Sequence, residues 1–112
     1  MTGSEMTDFI KQQKGEIDAL LILSQQLRGS NDKSSLTLYY KSLLKLVEKQ
    51  LSFYGRLALI GSTECVMEMR EMTDFFERNM GKTSSVSTQQ YLNTVRKEIL
   101  WHLTRLTASK WH

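Results

Sequence analysis

The stretch RLALIGSTECVM, residues 56–67, decides the fold of this chain. It lies inside a longer segment, residues 36–80, whose apolar side chains recur at helical spacing. At 100° per residue, Leu36, Tyr40, Leu43, Val47, Leu51, Tyr54, Ala58, Cys65, Met69, Met72, Phe76 and Met80 fall on one stripe. The phase of that stripe passes through Gly61 and Ser62 unchanged. A true break normally resets the phase, so the pattern predicts one continuous helix of about 45 residues, about 68 Å long at 1.5 Å per residue. The competing reading turns the chain at Gly61-Ser62 and gives four helices. On the continuous reading, Ala58, Gly61, Ser62 and Cys65 make a patch of small residues. Such a patch admits the close approach of another helix, or a kink.

Outward from this segment lie two stretches of small, turn-favouring residues, GSNDKSS at 29–35 and GKTSSVST at 81–88. Each opens with a glycine where a helix C-terminus takes one. They leave room for a first helix over about 4–28, with an apolar face of Met6, Phe9, Ile10, Ile17, Leu20, Leu21 and Leu27. A last helix over about 88–108 has the face Leu92, Val95, Ile99, Leu103 and Leu106. Thr2 with Glu5, and Ser87 with Gln90, have the spacing of N-terminal capping boxes. The expected fold is therefore a single all-α domain, 1–112. It is a bundle of three helices, over about 4–28, 35–80 and 88–108, with a long central one, or of four if the chain turns at Gly61-Ser62.

The words EMTDFIKQQKG (5–15) and EMTDFFERNMG (71–81) look like a repeat. The first begins a helix and the second ends one, with Gly81 as its cap. The residues after the two glycines do not align, so coincidence in helix-friendly composition is the better reading than duplication or a binding motif used twice.

Proline is absent, which fits long uninterrupted helices. With 40% hydrophobic and 24% charged residues the chain reads as soluble. Its longest apolar run, ALLIL at 19–23, falls far short of the about 20 residues a membrane helix needs. The start lacks the basic and apolar regions of a signal peptide, and the single cysteine, Cys65, has no partner for an internal disulfide. The expected location is intracellular, cytoplasmic or nuclear.

Net charge is +3, but it alternates in blocks. Residues 1–32 carry 3 basic and 5 acidic groups, 33–61 carry 5 and 1, 62–80 carry 2 and 5, and 81–112 carry 5 and 1. Such blocks predict either pairing between segments or an acidic partner for the basic ones. A long helix flanked by two shorter ones is only two helices deep and buries little. A homodimer that pairs the long helices antiparallel would thicken it. It would also set Lys41, Lys45, Lys49 and Arg56 against the acidic half, Glu64, Glu68, Glu71, Asp74 and Glu77.

No catalytic constellation is visible. GKTSS resembles the end of a phosphate-binding loop, but Phe76 stands where the leading glycine belongs and a helix precedes it, so it reads as a plain interhelix loop. Glu98 and His102 could share an ion four residues apart on a helix, yet two ligands are too few and no metal or cofactor is expected. Cys65 sits on the apolar stripe as a small hydrophobe, and the serines sit where local hydrogen bonds explain them. No enzyme and no small-molecule substrate are expected.

Surfaces for macromolecules remain. Lys41, Lys45, Lys49 and Arg56 share an arc of about 80°. Lys97, Trp101 and Arg105 form a line opposite the apolar face of the last helix. Cations around an exposed aromatic suit phosphates and bases. They also suit an oligomer interface, with lysine and arginine stems lying on the ring. Met67 and Phe75 point away from the stripe and offer an adaptable contact surface. The expectation is a non-catalytic interaction protein (an adaptor, chaperone-like or regulatory subunit) that binds a protein partner through helical faces and self-associates. The alternative is a small basic nucleic-acid-binding protein that contacts phosphates largely without sequence specificity.

Overall fold

A computed structural model describes residues 3–29 and 31–108. The described residues form four helices: α1 (Gly3–Leu27), α2 (Lys33–Ile60), α3 (Thr63–Asn79) and α4 (Thr88–Ala108). The all-α class stands, and no helix among the described residues is long and apolar enough to cross a membrane.

The continuous central helix does not form. The chain turns at Gly61-Ser62, and the described residues extend over only 55 Å, less than the length of that helix. The reason is two caps set back to back. Gly61 adopts φ 66°, a left-handed conformation that costs a residue with a Cβ about 1–2 kcal/mol, and its N–H donates to the carbonyl of Leu57. Ser62 is extended, at φ −70° and ψ 166°, and its Oγ accepts the N–H of Cys65 at 3.3 Å. Preservation of the apolar phase was misleading. A two-residue turn let the stripe resume on a helix running the other way. The small-residue patch is thus divided: Ala58 and Gly61 are exposed at the turn, and Cys65 is buried against Met6 of α1. Two further small residues lie inside the bundle, Ser24 of α1 and Ser42 of α2. Both are buried, and each hydroxyl donates to a carbonyl of its own helix, Leu21 and Tyr39.

The other ends follow local chemistry. Asp32 caps α2 by accepting the N–H of Ser35 at 3.0 Å, so the helix starts two residues before the expected 35. The Ser87/Gln90 capping box forms with both of its hydrogen bonds, at 3.3 and 3.1 Å. Thr2, its expected counterpart on α1, lies outside the described residues.

Helix α2 is the spine. Helix α1 runs antiparallel along one flank, with Phe9 against Phe53 and Glu16 paired to Lys49. Helix α4 runs antiparallel along the other, from Gln89 beside Gly55 to His102 stacked on Tyr40. Helix α3 folds back over one face of this layer. Two cores result. Met6, Phe53, Leu57 and Cys65 join α1, α2 and α3. Val47, Phe76, Leu92 and Ile99 join α2, α3 and α4. Phe53, Leu57, Cys65 and Leu92 are all but sealed from solvent, and each large one contributes about 1.5–3 kcal/mol by burial.

Ion pairs join segments of the chain, and those of Lys49 with Glu16 and Lys82 with Glu77 join a basic block to an acidic one. Lys14 reaches Glu68 and Glu71 of α3 at 3.3 and 3.8 Å, and Lys49 meets Glu16 at 2.6 Å. The continuous helix on which the expected antiparallel pairing was drawn is replaced by α2 and α3.

Candidate functional site

The α3 helix is too short to cover α2. Its 17 residues rise about 26 Å, against about 42 Å for the 28 of α2. From the turn it reaches Phe76, which packs on Val47 at the midpoint of α2. Beyond that point α1 and α4 still flank the spine, but no helix among the described residues lies between them. The result is a cleft of about 340 Å³. Leu43, Leu46 and Gln50 of α2 form its floor, Leu21 of α1 is one wall, and Tyr91, Val95 and His102 of α4 are the other. Phe75, Phe76 and Met80 close the end where α3 stops. Phe75 is 43% and Met80 56% exposed, so the apolar lining faces solvent at that end, while Leu46, Val47, Phe76, Leu92 and Ile99 deeper in it are buried.

The cleft continues between α1 and α3 as a second hollow of about 490 Å³, sharing Leu21, Gln50, Phe75 and Phe76 with the first. Here Ile17, Phe53 and Met72 are the apolar lining, and the rim holds Lys14, Asp18, Glu68, Glu71, Asp74 and Arg78. Adding Glu98 from the α4 wall gives five carboxylates against two cations, a local net charge of −3 in a chain whose total is +3. Burial and the nearby Glu98 carboxylate both push the Tyr91 hydroxyl above its ordinary pKa. That hydroxyl donates to the carbonyl of Met80 at 3.3 Å and so ties α4 to the end of α3.

The expected basic stripe divides in two. Lys49 is engaged by Glu16, and the Arg56 guanidinium lies 4.5 Å over the ring of Phe9. Lys41 and Lys45 are exposed and make no ion pair among the described residues. On α4 the Lys97, Trp101 and Arg105 line is exposed, Trp101 by 55%, and the Arg105 guanidinium sits 4.7 Å over the indole. The Tyr40–His102 stack puts the free lysines and this aromatic at one end of the molecule. Met67 is 60% exposed but does not line the cleft, whereas Phe75 does. The two EMTDF words also part company. Met6 and Phe9 of the first pack into the α1–α2–α3 core, while Phe75 of the second stands open on the cleft.

Several cleft residues carried no signal of their own in the sequence. Leu21 and Met80 read as core, Tyr91 and Asp18 as background, because the cleft exists only where α3 fails to reach. The buried Lys82 was equally hidden. Its side chain is 2% exposed, its Nζ lies 3.7 Å from Glu77 and donates to the carbonyl of Thr83 at 3.2 Å, and its N–H donates to the carbonyl of Phe76. The GKTSS loop is held down by its lysine, which has no access to a phosphate.

Cys65 is sealed, its thiol 3.4 Å from the Met6 sulfur, and His102 is used as a stacking ring. No three His, Cys, Asp or Glu residues gather as a metal site among the described residues. Comparison with protein-family models, with curated proteins and with solved structures finds no match.

Proposed function

We propose that this chain is a non-catalytic interaction protein, of the adaptor, chaperone-like or regulatory kind, that receives a helix of a partner protein. The observation that supports this is the apolar cleft left open where α3 ends at Asn79. A helix bundle with one position empty over part of its length offers a partner helix the floor and walls of its own core. Phe75, Met72 and Met80 suit such a contact, because aromatic rings give area and methionines adapt in shape. A photo-crosslinking residue placed at Phe75 should trap one defined protein in cells that express the chain. The same residue at Leu59, 89% exposed on α2 and outside the cleft, should trap none. Equal trapping at both positions would end the proposal.

Nucleic-acid binding is the second reading, and the Arg105–Trp101 pair beside Lys97 favours it. It is weakened because Lys49 and Arg56 are already engaged within the chain. Anisotropy titration with labelled single- and double-stranded DNA and RNA, at low and near-physiological salt, separates the two. A steep salt slope that disappears with Lys41→Glu and Lys45→Glu would favour nucleic acid. Flat curves at low salt would dispose of it.

A further inference from the structure

We infer that the partner element held by this cleft is a basic amphipathic helix of about three turns, with lysines or arginines flanking its apolar stripe. The inference rests on the partner-binding reading above and adds the chemistry of the partner. Length comes first. The α2 residues that line the cleft run from Tyr39 to Gln50, about 16 Å of helix axis, which an α-helix spans in about three turns.

Charge comes second. The cleft and the hollow that continues it between α1 and α3 together bear five carboxylates and two cations, and the cations are already committed near home: Lys14 is paired to Glu68 and Glu71, and Arg78 donates to the carbonyl of Asp74. Asp18, Asp74 and Glu98 make no ion pair among the described residues. They stand on three different helices, α1, α3 and α4, Asp18 and Asp74 on the hollow between α1 and α3 and Glu98 on the cleft that adjoins it. A helix with basic flanks satisfies them, while an acidic one places like charges together. Exposed pairs of this kind add little affinity singly, but they choose among partners and orientations. This negative rim also makes the cleft a poor seat for nucleic acid.

The test uses the full chain and three synthetic helical peptides of about five turns. All share one stripe of leucine and tryptophan, and their flanks are lysine, glutamine or glutamate. Binding is followed by fluorescence anisotropy. The lysine peptide should bind at least about tenfold tighter than the glutamate peptide. That preference should shrink as salt rises, and in a D18N/D74N/E98Q variant the tenfold gap should close. F75A should weaken all the peptides alike, and the exposure of Phe75 lets that variant fold. Equal binding of all three peptides, still sensitive to F75A, would overturn the basic-partner inference and leave the cleft as a partner site. Failure of every peptide to bind would overturn both. Sedimentation of the chain alone closes the remaining case. A dimer that F75A dissociates would make the occupant a second copy and overturn the inference of an external helix.

Discussion

The rings of Tyr40 and His102 lie nearly parallel, 11° apart with centroids 4.8 Å from one another, and fasten the start of α2 to the end of α4. At this end of the molecule the spine has lost the cover of α3, so a few side chains hold the flanking helix. A stacked pair contributes about 0.5–1.5 kcal/mol beyond the area it buries. In a double-mutant cycle of Tyr40→Leu and His102→Leu, a coupling energy of that size is expected by urea denaturation. Strict additivity of the two changes would show that the rings merely lie close. Loss of the stack should also let α4 fray first, seen as faster amide exchange over 100–108 than over 88–96.

The turn at Gly61-Ser62 divides its cost between two residues. Gly61→Ala introduces no clash, since the nearest atom to an added Cβ is the Ala58 carbonyl oxygen at 3.8 Å. The penalty is conformational only, about 1 kcal/mol for a left-handed alanine. Ser62→Ala removes the acceptor for the Cys65 N–H and should cost about 1 kcal/mol. Together the two changes favour a continuous helix locally, yet straightening the chain would pull Cys65 off Met6 and Phe76 off Val47. The double variant should therefore remain a four-helix protein with a lowered melting temperature. An elongated particle in small-angle scattering would refute this.

Those energies show why part of the fold was legible in the sequence and part was not. Helical faces such as Leu92, Val95 and Ile99 repeat over several turns, and each repeat adds to the signal. The Ser87/Gln90 box announces itself by spacing alone. The turn rests on about 2 kcal/mol at two residues, and its flanking apolar positions kept the phase of one helix. What chose the turn was tertiary: folding back buries Cys65 against Met6, 59 residues away. The cleft is less legible still. Asp18, Phe75 and Glu98 become neighbours of one hollow only after the turn has fixed how far α3 reaches. The ring line Lys97, Trp101 and Arg105 was visible because one exposed helix face carries all of it.

Glu77 and Lys82 should be unequal partners. The lysine side chain is 2% exposed and the glutamate 28%. Breaking a pair costs most when the charge left behind is the buried one. Glu77→Ala strands the ammonium and should lower stability by at least ~2 kcal/mol. Lys82→Met keeps the apolar stem and leaves a carboxylate that water can reach, so a loss within ~1 kcal/mol is expected. Chemical denaturation of both variants checks the order. If Lys82→Met were the costlier change, the lysine would owe its burial to its hydrogen bond with Thr83 rather than to Glu77.

Cys65 should be invisible to thiol reagents in the native protein. It is fully buried, and its thiol donates to the Met6 sulfur across the α1–α3 contact. Labelling by an aromatic disulfide reagent should therefore follow global opening and accelerate with urea in step with unfolding. Fast labelling without denaturant would mean that α1 lifts from the core on its own. Cys65→Ser should cost about 1–3 kcal/mol by placing a hydroxyl in an apolar site.

Asp32 gives α2 a pH dependence with a definite sign. Its carboxylate accepts the Ser35 N–H, and that hydrogen bond, with smaller ones alongside, holds its pKa below the ordinary aspartate value. The unfolded chain therefore binds this proton more readily than the folded one. The stabilisation is complete above the unfolded value, about 3.9, and is lost as pH falls through the lower folded value. Asparagine caps helices as well as aspartate does but does not titrate in this range. Thermal melts of the native chain and of Asp32→Asn should then agree near neutrality to within the loss of one charge near the helix start. Below about pH 3.9 the native chain should lose more than the variant. Parallel curves over the whole acid range would assign the acid sensitivity to other carboxylates and leave Asp32 a cap without a pH role.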